Sequence, residues 1–172
     1  GKVSAILINS GNANVFNGKS GRKSLMKIVQ TLEKKLQIPK EEIFIASTGV
    51  IGEPLDEQKI IRKIPYLISN LKNDHDSWLL AAKAIMTTDT YPKTIIKKIK
   101  IGKKRIRLFG IAKGSGMIFP KMGTMLAYFF IEANLSKSVL NKILKSHLDS
   151  SFNSITVDGD TSTRDTVMLF SL

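Results

Sequence analysis

The sequence predicts a layered α/β sandwich of mixed α+β type, built as one domain. Apolar patterns of helical and of strand period both run along the chain, and they mix without the strict alternation that a doubly wound parallel sheet requires. No internal repeat, low-complexity stretch or linker divides the 172 residues, a length ordinary for one domain.

Residues 2–9 read as a buried strand, ended by Ser10-Gly11-Asn12-Ala13-Asn14. A helix is expected over 21–37, where Leu25, Ile28, Val29, Leu32 and Leu36 share a face and Pro39 lies just past the end. Ile43–Ala46 is a second strand, running into Ser47-Thr48-Gly49-Val50-Ile51-Gly52. Residues 56–72 place Ile60, Ile61, Ile64, Leu67, Ile68 and Leu71 on one helical face. Pro65 within that helix should kink or split it, because proline lacks an N–H and crowds the preceding turn. A third helix over 76–86 runs through Trp78, Leu79, Ala82 and Ile85. The pattern over 94–112 is a hairpin turning at Gly102-Lys103, followed by the glycine-rich loop Lys113-Gly114-Ser115-Gly116-Met117. An apolar strand over 124–132 precedes a helix over 137–150, which Ser136 can cap by accepting an unpaired first-turn N–H. From Ser154 to Leu172 two short strands flank Asp158-Gly159-Asp160.

The net charge of +13 is mostly lysine spread along the chain, and only residues 95–107 concentrate it. No aromatic residue interleaves those charges, as a single-strand nucleic-acid groove would require, so a solvated basic face is expected. No apolar run reaches the ~18 residues of a membrane span, and the opening stretch lacks the features of a secretory signal. Neither nucleic acid nor membrane is therefore expected as a partner. With no cysteine, disulfides, thiolate metal sites and a cysteine nucleophile are excluded, and a cytoplasmic location fits.

Several motifs compete to carry chemistry. Ala13-Asn14-Val15-Phe16-Asn17-Gly18-Lys19-Ser20 satisfies a loose phosphate-loop pattern, but Val15 and Phe16 fill positions where small residues let N–H groups close on phosphate. His75 and His147 have no second histidine at zinc spacing. The Asp158–Ser162 run begins like a calcium loop, then puts Thr163 at the turn glycine and Leu169 at the closing glutamate. No metal and no cofactor are expected. No Gly-x-Ser-x-Gly elbow is present.

What remains is rich in threonine: Thr48-Gly49, Thr87-Thr88-Asp89-Thr90 and Thr124, each near the junction of a regular element and a loop. Threonine becomes a nucleophile when a base takes its proton, and that base can be its own α-amine after chain cleavage. Gly123 ahead of Thr124 suits such cleavage, since a residue without Cβ tolerates strained backbone.

Five segments, in order, resemble the ornithine acetyltransferase (glutamate N-acetyltransferase) family: Asn9–Asn14, Ser47–Gly52, Ala84–Lys93, Gly110–Leu126 and Ser151–Thr163. The resemblance implies an αββα-type sandwich, related to aminopeptidases that cut themselves before serine. It implies a precursor that cleaves itself at Gly123–Thr124, leaving 1–123 as the α-chain part and 124–172 as the start of a β chain. Thr124 would then carry acetyl from N2-acetylornithine to glutamate, with acetyl-CoA as a further donor in some members. By the match, Thr48 and Gly49 form the oxyanion hole, while Thr87 and Lys113 contact substrate beside Thr124. Assemblies of αβ pairs are implied, as is a role in arginine biosynthesis.

The chain departs from the pattern in places. Gly123 stands where the family usually has Ala, and Arg164 where many members carry Asn, which nothing in the sequence accounts for. The match also implies that a leading region and the later β chain, with a substrate-binding glutamate, lie outside this stretch. The alternative functions are a related self-cleaving amide hydrolase and a basic nucleotide- or nucleic-acid-binding module.

Overall fold

A parallel strand pair cannot be closed by a tight turn, so the chain between its strands must cross over, usually as a helix. That is how the first part of the molecule is built. β1 (Ala5–Asn12) pairs in parallel with β2 (Ile43–Val50), from Ala5 opposite Ile43 to Gly11 opposite Gly49, and α1 (Gly18–Leu36) lies between them in sequence. The computed structural model describes residues 1–116, 118–119, 122–123, 125–159 and 165–172, with only the backbone of Phe119, Met122 and Gly123. These fall into two compact units, Gly1–Ser77 and Trp78–Leu172.

In the first unit the helical stripes fold onto the strand pair. Ile28 and Leu32 of α1 join Ile43, Leu55 and Ile64 in one buried core, ringed by Leu7, Leu25, Ile45, Ile60 and Ile68. α1 ends at Gln37 in a left-handed conformation, with Lys34 and Lys35 against the negative end of the helix dipole. α2 (Glu57–Ser69) opens at Asp56, whose carboxylate accepts the Lys59 N–H at 3.2 Å.

Pro65 does not split α2, contrary to one of the two outcomes expected. An interior proline costs about 3 kcal/mol. Fully burying an isoleucine returns about 1.5–3 kcal/mol, and the fully buried Ile64 and the packed Ile68 hold the helix on either side of the proline. β1 also differs: it is half-buried and runs on through Asn12 rather than stopping before Ser10.

α3 (His75–Ala84) runs into the second unit, whose sheet has the strand order β3-β4-β7-β8. β3 (Lys93–Ile101) and β4 (Lys104–Lys113) form the expected hairpin, with Gly102 at φ 59° in its two-residue turn. β5 (Ile118–Phe119) and β6 (Met122–Gly123) make a small hairpin of their own, which the sequence reading missed. β7 (Leu126–Ile131) runs antiparallel to β4, and β8 (Thr166–Ser171) lies parallel to β7. α4 (Lys137–Leu148) is capped by Ser136, which accepts the Val139 N–H at 3.4 Å.

Aromatic rings tie the helix to the sheet. Trp78 stacks on Phe109 at 5.6 Å and meets the edge of Phe130 at 5.3 Å, and Phe130 stacks on Phe170. β3 is exposed along most of its length, and Arg107 on β4 forms a forked pair with Glu132, at 2.7 and 2.5 Å. The second of the two terminal strands expected after Ser154 is β8. The first is not a strand among the described residues; a 3₁₀ turn at Phe152–Ser154 leads instead to a single ladder-like bond from Val157 N–H to the Ile118 carbonyl, 2.8 Å. No described helix is long and apolar enough to cross a membrane.

Tyr128, on β7, is almost wholly buried and its hydroxyl has no hydrogen-bond partner among the described residues. Burial pushes its phenol up to about 12. The neutral phenol is favoured in the fold, so its stabilisation is whole below the unfolded value of about 10 and is lost as pH climbs through the raised value. A spectrophotometric titration subtracted from that of Tyr128→Phe should show phenolate absorbance appearing near pH 12. Absorbance emerging near pH 10 in the folded protein would contradict the burial.

Candidate active site

β2 continues through Val50, so Thr48 and Gly49 lie within the strand rather than past an end at Ala46. Thr48 is 3% exposed, and its hydroxyl finds no partner among the described residues. A buried hydroxyl left unpaired costs about 1–3 kcal/mol, so a group in that state is one a ligand can satisfy. Gly49 sits at φ +129°, and a Cβ there would lie 2.4 Å from the carbonyl carbon of Gly11 and 2.7 Å from the Asn12 nitrogen. Only glycine lets the two backbones approach so closely. At this point the pairing slips, Asn12 facing both Val50 and Thr48 in a bulge of the kind that re-aims strand ends.

Four asparagines brace the bulge. Asn9 Nδ2 donates to the Asn12 carbonyl at 2.8 Å, and Asn12 Oδ1 accepts the Asn14 N–H at 2.8 Å. Asn12 and Asn17 both donate to the Glu53 carbonyl, at 2.9 and 2.8 Å, which ties the end of β1 to the chain after β2. The sequence reading gave these residues no role. The usable signal was asparagine's tolerance of left-handed backbone, adopted by Asn14 at φ 47°. The phosphate-loop pattern dissolves here as well: Ala13 N–H donates to the Val50 carbonyl and the Val15 carbonyl accepts the Gly52 N–H, both at 2.9 Å. That loop is stitched to the end of β2 rather than open around an anion.

The second unit holds the other described candidates. Lys113 ends β4 and is only 2% exposed, so it is not the ordinary surface lysine its type would suggest. Its ammonium donates to the Thr87 hydroxyl at 3.1 Å and forms no ion pair among the described residues. Burial pulls its pKa below the usual lysine range; the Asp89 charge works against that, and the Lys93 charge adds to it.

Asp89, absent from the expected site residues, is the hub. Its side chain is fully buried, with Oδ1 accepting Lys93 Nζ at 2.6 Å and the Gly114 N–H at 2.8 Å. Oδ2 accepts the Thr87 N–H at 3.3 Å. Burial alone would raise its pKa, but the Lys93 hydrogen bond and the two backbone N–H groups overcome this and hold the carboxyl below its usual range. Thr88 and Ser115 hydroxyls lie 3.2 Å apart, joining the same two segments a second time.

Gly123 lies in β6, opposite Ile118 of β5. The expected nucleophile Thr124 lies outside the described residues, as does Arg164. The chain on either side of Thr124 is anchored nonetheless. Ile118 N–H donates to Asp158 Oδ1 at 3.0 Å. Met125 N–H donates to Asp165 Oδ1 at 3.0 Å, and its carbonyl accepts the Thr166 N–H at 2.9 Å.

A model of the ArgJ family matches residues 1–172. The arginine biosynthesis bifunctional protein ArgJ of Bartonella henselae is 46% identical over 171 residues, which cover 99% of this chain and 41% of that protein. Its counterpart in Gluconobacter oxydans is 47% identical over 167 residues, 97% of this chain and 39% of that protein. The chain thus spans about 40% of the length of the curated relatives it matches. Among solved structures, the arginine biosynthesis bifunctional protein of Bacillus halodurans is 33% identical with a TM-score of 0.60, over 67% of this chain and 60% of that one. The ornithine acetyltransferase of Mycobacterium tuberculosis, complexed with ornithine, is 25% identical with a TM-score of 0.56, over 67% of this chain and 61% of that one. The mixed α+β fold class expected from the sequence is the one these structures share with it.

The close approach at Gly49 generates a stability prediction. Gly49→Ala in the full-length protein should lose about 2–5 kcal/mol in urea unfolding, combining left-handed strain with a forced separation of β1 from β2. A loss under about 0.5 kcal/mol, typical of surface changes, would mean that the strands are not so tightly opposed.

Proposed function

The chain belongs to the ArgJ family, and we propose that the full-length protein is a self-cleaving glutamate N-acetyltransferase of arginine biosynthesis. In this reading the precursor cuts itself at Gly123–Thr124, giving an α part that ends at Gly123 and a β chain that begins at Thr124. The freed α-amine of Thr124 takes the proton from its own hydroxyl, which attacks the acetyl carbonyl of N2-acetylornithine. Ornithine leaves, acetyl stays on the Thr124 oxygen, and the amine of glutamate then attacks that ester to leave as N-acetylglutamate.

Each step passes through a tetrahedral oxyanion, for which the Thr48 hydroxyl and the Gly49 N–H are donors of the right kind. The buried, unpartnered state of the Thr48 hydroxyl supports that role. Lys113, with Thr87 against it, takes the α-carboxylate common to acetylornithine and glutamate. The observation that carries the reading is this ammonium, buried without an ion pair among the described residues. Such a charge is costly unless an anion completes it. The ornithine complex of the Mycobacterium tuberculosis structure supports an amino-acid ligand of the same class.

The chemistry needs no cofactor, and acetyl-CoA would enter only as a second acetyl donor. The protein would work in the cytoplasm as an assembly of α and β chains, without nucleic-acid or membrane partners.

Intact-mass measurement of the full-length protein tests the scheme. The wild type should resolve into two chains, and N2-acetylornithine should add one acetyl group to the β chain. Thr124→Ala should stay a single chain and take no acetyl. An uncut wild type, or an alanine variant that is cut and acetylated like it, would refute the proposal; release of free acetate in place of N-acetylglutamate would mark a hydrolase.

Thr48→Val separates catalysis from folding. Losing one oxyanion donor should lower kcat by about 100–1,000-fold. Stability should hold or rise by about 1 kcal/mol, because an unpaired buried hydroxyl is replaced by a methyl. Unchanged kcat would remove Thr48 from the oxyanion hole.

A further inference from the structure

Two ammonium groups, those of Lys93 and Lys113, lie within electrostatic reach of the Asp89 carboxylate. Lys93 opens β3 opposite Ala112, the chain neighbour of Lys113 on β4, so the strand register brings both lysines close to Asp89. The carboxylate is committed to Lys93 at 2.6 Å, to the Gly114 N–H at 2.8 Å and to the Thr87 N–H at 3.3 Å. Among the described residues, Lys113 is left with the neutral Thr87 hydroxyl at 3.1 Å.

This pairing runs against simple expectation. Of the two lysines, Lys113 is the more deeply buried, at 2% exposure for the residue, while the Lys93 side chain keeps 31%. The buried cation has more to gain from a carboxylate, since desolvated charges interact most strongly. Yet the carboxylate goes to the lysine that water could serve. A hydrogen bond between two ions is roughly twice as strong as one between neutral groups, so an unoccupied Asp89 would compete with Thr87 for the Lys113 ammonium.

We infer that Lys93 is a positioning residue: by occupying Asp89 it keeps the Lys113 ammonium uncommitted, held lightly against Thr87 and open to an anionic group of the substrate. Asp89 thereby does two things at once. Its backbone contacts fix Thr87 and Gly114 on either side of Lys113, and its charge sustains the protonated form of Lys113 without capturing it. Tyr91 helps hold Lys93 in place, its ring centroid lying 4.7 Å from the Lys93 nitrogen. The inference rests on the acetyl-transfer reading above, which gives Lys113 a carboxylate to bind.

Steady-state kinetics on the full-length enzyme tests it. Lys93→Met should raise KM for both N2-acetylornithine and glutamate by about tenfold, the scale of one hydrogen bond to a charged group. kcat should fall by less than KM rises, and Lys93→Arg should restore most of the affinity. The decisive variant is Lys93→Met combined with Asp89→Asn. With the competing charge gone, Lys113 is released, and KM should return at least about threefold toward wild type, an interaction of the sign that double-mutant cycles detect. A purely structural role predicts the reverse, a double variant worse than either single one.

An unchanged KM in Lys93→Met, or a double variant no better than Lys93→Met alone, overturns the inference. Lys93→Gln provides the same reading if the methionine variant does not fold. A wild type that accepts no acetyl sinks the acetyl-transfer reading itself; a wild type that accepts it while Lys93→Met keeps its KM sinks this inference alone.

Discussion

Taking a lysine ammonium out of water is among the more expensive things a fold can do, and the second unit is organised around having done it at Lys113. The cost falls on a short stretch of chain. Asp89 stays ionised nearby because Lys93 and two backbone N–H groups stabilise its charge, and that charge in turn steadies the Lys113 ammonium. The β3–β4 hairpin supplies both lysines in register, and the loop before it supplies Thr87 and Asp89. The hairpin is therefore more than a solvated basic ribbon. Its base, where it meets the sheet, sets the charges that the rest of the hairpin leaves in water.

The first unit meets a different constraint, set by backbone volume. Gly49 and Gly11 face each other across the parallel pair so closely that a single methyl group cannot be placed on Gly49. Neighbouring asparagines hold that contact through backbone carbonyls rather than through apolar packing. The buried Thr48 hydroxyl sits beside it, unpaired among the described residues, in an arrangement that core packing alone would not select. A fold stabilised by Ile28, Leu32 and Ile64 can carry one such unsatisfied group at modest expense.

How much of this the sequence disclosed depended on whether the deciding interaction was local. Helix α1 was legible because five apolar residues repeat at helical period and a proline follows. The hairpin was legible because Gly102-Lys103 interrupts one continuous pattern. The integrity of α2 across Pro65 was not, because the core contacts that outweigh the proline come from elements far away in the chain. Residues around Val157 look like a strand by composition, but among the described residues Val157 makes its backbone bond to the Ile118 carbonyl alone, without a strand ladder. Thr48, Gly49, Thr87 and Lys113 were named from resemblance; the burial of Thr48 and Lys113, and the absence of an ion partner for Lys113 among the described residues, could come only from tertiary structure. Asp89 and Lys93 were both visible within a quoted motif. Their pairing, and the lysine that the pairing leaves out, became visible only once β3 was set against β4.

Strand order has a mechanical consequence for the cut proposed ahead of Thr124. β7 is the first strand after that point, and it is flanked by β4 on one side and β8 on the other. The residue just before it, Met125, is pinned through both its N–H and its carbonyl to the segment that opens β8. Severing one peptide bond would leave every rung of that ladder in place. The two pieces would stay woven together as neighbouring threads of a single sheet, so a fresh amino terminus could be created without the molecule coming apart.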